Sequence, residues 1–261
     1  MGRDGRFLNR RPHHIRGCVE MASSDVEIVE TLPIRKKRST VVLGFAGSGF
    51  IGSTAMMYVV RNRGFKQRAY VRSQLIPPLM LLLGGQPTHA LRIYSGEKND
   101  LLFIVSEALI SPGNSWPLSK KLMEWLLDKG AAAFVSIEGL PFGIPPGERV
   151  VLGFSTDRKD LAQFGVQSTQ EGVVSGMNAC LLEECLRRGL SWTSLFVGTN
   201  LVSGVDYGGS AAAVEVLNRM FKLGVDVTPL KRRDEMMRQT AERRMKAEPR
   251  GFLGALRRRM R

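Results

Sequence analysis

The chain has 261 residues and is 43% hydrophobic, which allows one sizeable core with extensions. No apolar run reaches the roughly 18–20 residues that a membrane span requires, and no apolar stretch follows the basic start, so neither an anchor nor a secretory leader is expected. The formal net charge of +14 is uneven: residues 228–261 carry 12 basic against 4 acidic side chains, while residues 40–227 are nearly balanced, so a nucleic-acid partner would have to engage the tails.

Residues 1–39 read as a flexible, arginine-rich segment. His13-His14 has no third ligand nearby and reads as solvated tail. Met21-Ala22-Ser23-Ser24 reads as an alternative start, and Val26–Leu32 as a short edge strand. The stretch Val41–Val60 then organises the rest. It is a buried strand (Val41–Phe45), a glycine turn (Ala46–Gly49) and a helix from about Ile51, the first unit of an α/β domain spanning residues 40–227. Gly47-Ser48-Gly49-Phe50-Ile51-Gly52 fits G-x-G-x-x-G, so Gly47, Ser48, Gly49 and Gly52 are candidates for a dinucleotide site. The second strand, Gln67–Arg72, ends on an arginine suited to a 2′-phosphate rather than on the acid that NAD requires. The alternative is that these glycines only make a tight strand–helix turn.

Leu75–Leu83 is apolar but contains Pro77-Pro78 and reads as a loop or short helix on the core. Leu91–Ser95 and Asp100–Ile110 flank the turn Gly96–Asn99 and read as a hairpin; Glu97-x-Asn99 resembles a metal pair of ATP-dependent ligases, but turn chemistry explains it. Further along come a helix (Trp116–Lys129), strands at Ala131–Ile137 and Val150–Ser155, and a short helix at Asp157–Phe164. A helix at Met177–Arg188, a strand at Ser194–Thr199 and a last core helix at Tyr207–Leu223 follow. Interleaved strands and helices predict a three-layer α/β/α sandwich with a mixed sheet. Functional atoms in such folds gather at the C-terminal ends of strands.

Those ends are chemically sparse. His89 lies away from them, no Ser-His-Asp or Cys-His set can be assembled, and no metal cluster is visible. Glu107, Glu138, Glu171 and Asp206 are the acids near them, and lone carboxylates at turns usually cap helices. No cofactor is expected. Cys18, Cys180 and Cys185 have no metal spacing, and the last two read as reduced core thiols of a cytoplasmic protein. Residues 228–261 read as a basic helical extension whose apolar residues (Leu230, Met237, Ala241 and Met245, then Phe252, Leu253 and Leu256) form narrow stripes. Such stripes need a partner: a second copy, another protein or an acidic surface.

The order of motifs resembles the proteasome assembly chaperone family, which includes the second eukaryotic proteasome assembly chaperone and its archaeal relatives. The residues that carry it are Gly44–Gly52, the strand Leu101–Val105 before a Trp-containing helix, Gly139-Leu140-Pro141, Glu171–Gly176 before a helix, and Ala211-Ala212-Ala213. The resemblance covers about residues 40–225. It implies a fold similar to nucleoside phosphorylases and hydrolases, and a non-catalytic, homo-oligomeric assembly chaperone or scaffold connected with proteasome α-subunits. Members that dock on the α-ring can end in hydrophobic-Tyr-X, whereas this chain ends Arg259-Met260-Arg261. The competing readings are an NADP- or nucleotide-dependent enzyme using Gly47–Gly52, and RNA or ribosome association through the basic tails.

Overall fold

The computed structural model describes residues 26–141, 149–201 and 204–247. In chain order the elements begin with β1 (Glu27–Glu30), β2 (Ser39–Phe45), α1 (Ile51–Asn62), β3 (Lys66–Arg72), β4 (Met80–Leu83) and β5 (Gln86–His89). Next come β6 (Leu91–Ser95), β7 (Leu101–Ser106), α2 (Pro112–Asp128), β8 (Ala131–Leu140), β9 (Val151–Ser155) and β10 (Gln167–Ser168). The last are α3 (Gly176–Arg187), β11 (Ser191–Gly198), α4 (Tyr207–Phe221) and α5 (Thr228–Ala247).

Among the described residues the strands form a nine-stranded mixed sheet in the order β1-β3-β6-β7-β2-β8-β11-β9-β10, with β4 and β5 apart as a hairpin. Strand β2 sits in the middle, parallel to β7 and β8, and β8 is parallel to β11. Both faces of β2 are covered, which is why its apolar residues are unbroken. Val42, Phe103, Val105, Val135 and Ile137 share one core with α1 and α4. Val41, Leu43, Phe45, Leu102, Ile104 and Trp192 share the other with α2 and α3. The expected α/β sandwich with a mixed sheet is the observed architecture.

Several local expectations are corrected. The segment Leu75–Leu83 is neither loop nor core helix at its end: Met80–Leu83 pairs antiparallel with Gln86–His89. Gly84 and Gly85, at φ +60° and +78°, make the two-residue turn of that hairpin. The strand expected to run to Ile110 stops at Ser106, where Glu107 turns to pair with Arg92 (Nη2–Oε1 2.5 Å). Helix α2 begins four residues before Trp116 because Pro112 suits a first helical turn. Strand β8 continues to Leu140, opposite Gly198 of β11. Asp157–Phe164 is not a helix beyond a single turn at Ala162–Phe164. Asp157 instead accepts from Ser155 Oγ and Ser191 Oγ, and Asp160 Oδ1 accepts from the Ala162 N–H at 3.0 Å, bonds that compete with helix formation.

Two boundaries also move. Described residues 26–39 are part of the domain: β1 pairs with β3, and Val26 and Ile34 are buried. Trp125 Nε1 donates to Glu30 Oε1 at 3.0 Å, and Lys129 Nζ lies 2.6 Å from the same oxygen. At the other end, the first turns of α5 lie on α4. Leu230 is 5% exposed within the α1/α4 core, Lys231 pairs with Glu215 at 2.5 Å, and Arg233 lies over the Tyr207 ring.

Candidate functional site

The C-terminal ends of β2, β7, β8 and β11 come together as the parallel strands require. After Phe45 the chain turns sharply: the Ala46 N–H donates to Ser106 O at 2.7 Å and the Asp206 N–H to Gly49 O at 2.8 Å. Gly52 allows α1 to lie against the sheet backbone, since a Cβ there would sit 2.6 Å from Ile137 O and 3.1 Å from Phe45 O. Gly52 therefore has a packing reason, while Gly47 faces open space.

A cavity of about 310 Å³ opens between this turn and the N-terminus of α3. Phe45, Gly47, Ser48, Glu138, Ser175 and Asn178 are among its walls. Glu138 is half-buried near the end of β8, and its Oε1, itself buried, has no hydrogen-bond partner. Burial pushes its carboxyl up to about 7; hydrogen bonding from the Asn178 side chain, the Ser175 backbone and Ser136 offsets only part of that effect. Asn178 is 4% exposed, and its Oδ1 is also without a partner.

Two of the other acids at the strand ends, Asp206 and Glu107, are occupied. Asp206 caps α4, accepting from the Gly209 N–H at 2.7 Å and from Thr199 Oγ1 at 2.7 Å. Arg149 Nη2 lies 3.1 Å from Asp206 Oδ1 and 3.5 Å from Asp234 Oδ1. Glu107 pairs with Arg92, whose Nε donates to Tyr94 Oη at 2.7 Å. Glu171 is exposed, and its backbone is held by Thr169. His89 stacks on Tyr70 with ring centres 3.7 Å apart, and burial, with Arg72 and Arg92 nearby, pushes its imidazole below the usual range. Asn99 is buried in its turn, accepting from Ser95 Oγ at 2.6 Å. Among the described residues no group of three or more His, Cys, Asp or Glu could hold a metal. Cys180 and Cys185 are free and buried, and burial pushes the Cys185 thiol up to about 12. No helix of the described residues is long and apolar enough to cross a membrane.

The dinucleotide geometry suggested by the glycine pattern is not assembled. Strand β3 lies three places from β2 in the sheet, beyond β7 and β6, so Arg72 does not approach Gly47. Arg72 pairs with Glu27 at 2.7 Å on the sheet edge. Of the stripe expected to meet a partner, Leu230 is instead a core residue of this chain, whereas Met237 (58% exposed) and Ala241 face outward. Met245 lies in α5 with its side chain outside the described set, and Phe252, Leu253 and Leu256 lie outside the described residues.

The model of one protein family, described as the PAC2 family, matches residues 41–245, from the first residues of β2 into the last turn of α5. The chain belongs to the PAC2 family. Among solved structures it is similar to Pyrococcus furiosus PbaA, described as an archaeal homolog of proteasome-assembly chaperone. The likeness covers 90% of this chain and 96% of that one, with 28% identity and a TM-score of 0.76. A second similar structure is Pyrococcus furiosus PbaB, described as an archaeal proteasome activator, at 18% identity and TM-score 0.71, covering 84% of this chain and 98% of the other. At that identity the likeness concerns the fold alone. In sequence, the Methanocaldococcus jannaschii protein MJ0106 is 28% identical over 232 residues, 85% of this chain and 93% of its own length.

Within this PAC2 family chain, two features of the strand ends escaped the sequence reading. In sequence Asn178 is only one residue of a helix, because nothing in Met177–Arg188 distinguishes a buried first-turn amide from a solvated one. Arg149 lies between strand segments, and its partners are 57 and 85 positions away. Glu138 stands out in sequence as an acid at a strand end, but its isolation from other charges is visible only in three dimensions.

Proposed function

We propose that this chain is a non-catalytic assembly chaperone or scaffold that acts as a homo-oligomer in the cytoplasm, with proteasome α-subunits as its clients. The observation that carries this reading is the likeness to PbaA, which covers 90% of this chain. Two carboxylates at the strand ends support it: Asp206 serves as a helix cap and Glu107 as half of an ion pair, so both have structural work. Exposed apolar side chains offer contact surfaces for further copies. Met236 and Met237 project from α5 at 67% and 58% exposure, and Met80 and Leu82 project from the β4–β5 hairpin.

The test is to purify the full chain, measure its mass by light scattering, and mix it with α-subunits from the same cell. The expected result is a discrete oligomer that retains α-subunits through gel filtration. A monomer that retains none overturns the proposal.

A further inference from the structure

We propose that the cavity between the β2 turn and the N-terminus of α3 is a binding site for a small zwitterion of amino-acid type, its ammonium held by Glu138 and Asn178 and its acid group by the helix N-terminus. This goes beyond the chaperone reading and does not depend on it.

The argument starts from the unsatisfied atoms. Glu138 Oε1 and Asn178 Oδ1 are both buried acceptors, and neither has a hydrogen-bond partner. An orphaned buried acceptor costs free energy that a ligand donor recovers. Asn178 is 4% exposed, so bulk water does not satisfy it cheaply. Two unpartnered acceptor oxygens on residues lining one cavity select a group with several N–H donors.

The opposite polarity comes from α3. The first N–H groups of a helix have no acceptor within it. Ser175 at the N-cap makes no side-chain bond to the helix, and the first turn contains no acid. Helix α2 starts on the same cavity with Pro112 and likewise has neither a capping side-chain bond nor an acid in its first turn. These N–H groups favour a negative charge.

The two polarities together choose the class. Apart from Glu138, no ionisable side chain among the described residues lines the cavity. A simple anion would meet Glu138 without any lysine or arginine to offset it. A simple cation would meet the helix N-termini. A compact molecule with an ammonium at one end and a carboxylate at the other satisfies both, and about 310 Å³ accommodates one.

The experiment is calorimetric titration and thermal denaturation of the full chain with each of the twenty common L-amino acids, and with acetate and methylamine as half-ligands. At least one amino acid should bind saturably and raise the melting temperature, and neither half-ligand should do so at equal concentration. Glu138→Gln keeps the shape of the side chain and should weaken binding by about tenfold or more, as loss of a charged acceptor implies. Asn178→Ala should weaken it similarly. Binding should also tighten between about pH 6 and pH 8, as Glu138 becomes ionised. No amino acid binding at any concentration up to about 10 mM, weaker than the affinity range of specific sites, overturns the proposal. So does binding unchanged by Glu138→Gln in a variant that melts like the parent.

Discussion

Arg149 and Asp206 face each other through two contacts. Nη1 donates to Asp206 Oδ2 at 3.2 Å, and Nη2 lies 3.1 Å from Oδ1. Asp206 is 2% exposed and already caps α4, so the pair joins a loop, a helix N-terminus and, through Asp234, the start of α5. Asp234 Oδ1 also accepts from the Gly208 N–H at 3.1 Å. Asp206→Ala removes a helix cap and leaves the partly buried Arg149 guanidinium only its longer contact to Asp234. Loss of one member of a buried pair costs roughly 3–5 kcal/mol. Urea unfolding should therefore show a loss of about 3 kcal/mol or more, and Asp206→Asn, which keeps the cap, should lose less.

The glycines of the β2 turn should separate cleanly on substitution. At Gly52 a new Cβ meets backbone oxygen at 2.6 Å, and backbone cannot move aside as a side-chain tip can. Overpacking of this kind costs roughly 1–3 kcal/mol, so Gly52→Ala should lower the melting temperature by several degrees. At Gly47 nothing lies within 4 Å of a new Cβ and the backbone is extended, at φ −168°. Gly47→Ala should melt within about a degree of the parent, as open surface positions do.

The contrast between those two glycines also marks what could be read from sequence alone. The run Val41–Phe45 followed by glycines declared a buried strand and a tight turn, because period and turn chemistry are local properties. Helices α1, α2, α3 and α4 were legible for the same reason, from apolar spacing ended by glycine. The hairpin β4–β5 carried a signal too, Gly84-Gly85, but the apolar run before it resembled core and Pro77-Pro78 resembled a loop. Whether G-x-G-x-x-G binds a dinucleotide depends on which strands neighbour β2, and that is a long-range fact: the neighbours are β7 and β8, not β3. The place of Leu230 is likewise a long-range fact. A narrow stripe on an isolated helix asks for a partner, and for this residue the partner is α4 of the same chain.

The pH dependence of stability should carry the signature of Glu138. Its carboxyl titrates near 7 in the fold against an ordinary 4.5, so between those values the native state holds more protons than the unfolded chain. Stability from this residue is therefore greatest at low pH, falls as pH rises from about 4.5 to 7, and is level above that. A displacement of this size corresponds to about 3 kcal/mol at most. Other groups titrate in the same range, so the measurement is a difference. Urea midpoints of the parent and Glu138→Gln, taken at several pH values, should diverge through that window, with the variant relatively more stable at pH 8. Parallel curves would mean that Glu138 is solvated in the native state.

Helix α5 divides into a docked start and an exposed remainder, and the two parts should respond differently to mutation. Leu230 is inside the α1/α4 core, so Leu230→Ala should cost about 2–5 kcal/mol, the range for emptying a buried leucine site. Met237 is 58% exposed, so Met237→Ala should change monomer stability by no more than about 0.5 kcal/mol. Truncation gives the same contrast on a larger scale. Removing residues from 228 onward takes away Leu230 and also Asp234, the anchor that Arg149 shares with Asp206. Removing residues from 241 onward leaves both in place. The longer truncation should therefore melt well below the parent, while the shorter one should melt close to it. If the exposed part of the helix joins copies of the chain, the shorter truncation and Met237→Glu should both lower the mass measured by light scattering without lowering secondary-structure content. An unchanged mass in both would move the assembly surface elsewhere, with the β4–β5 hairpin and its exposed Met80 and Leu82 as the next surface to alter.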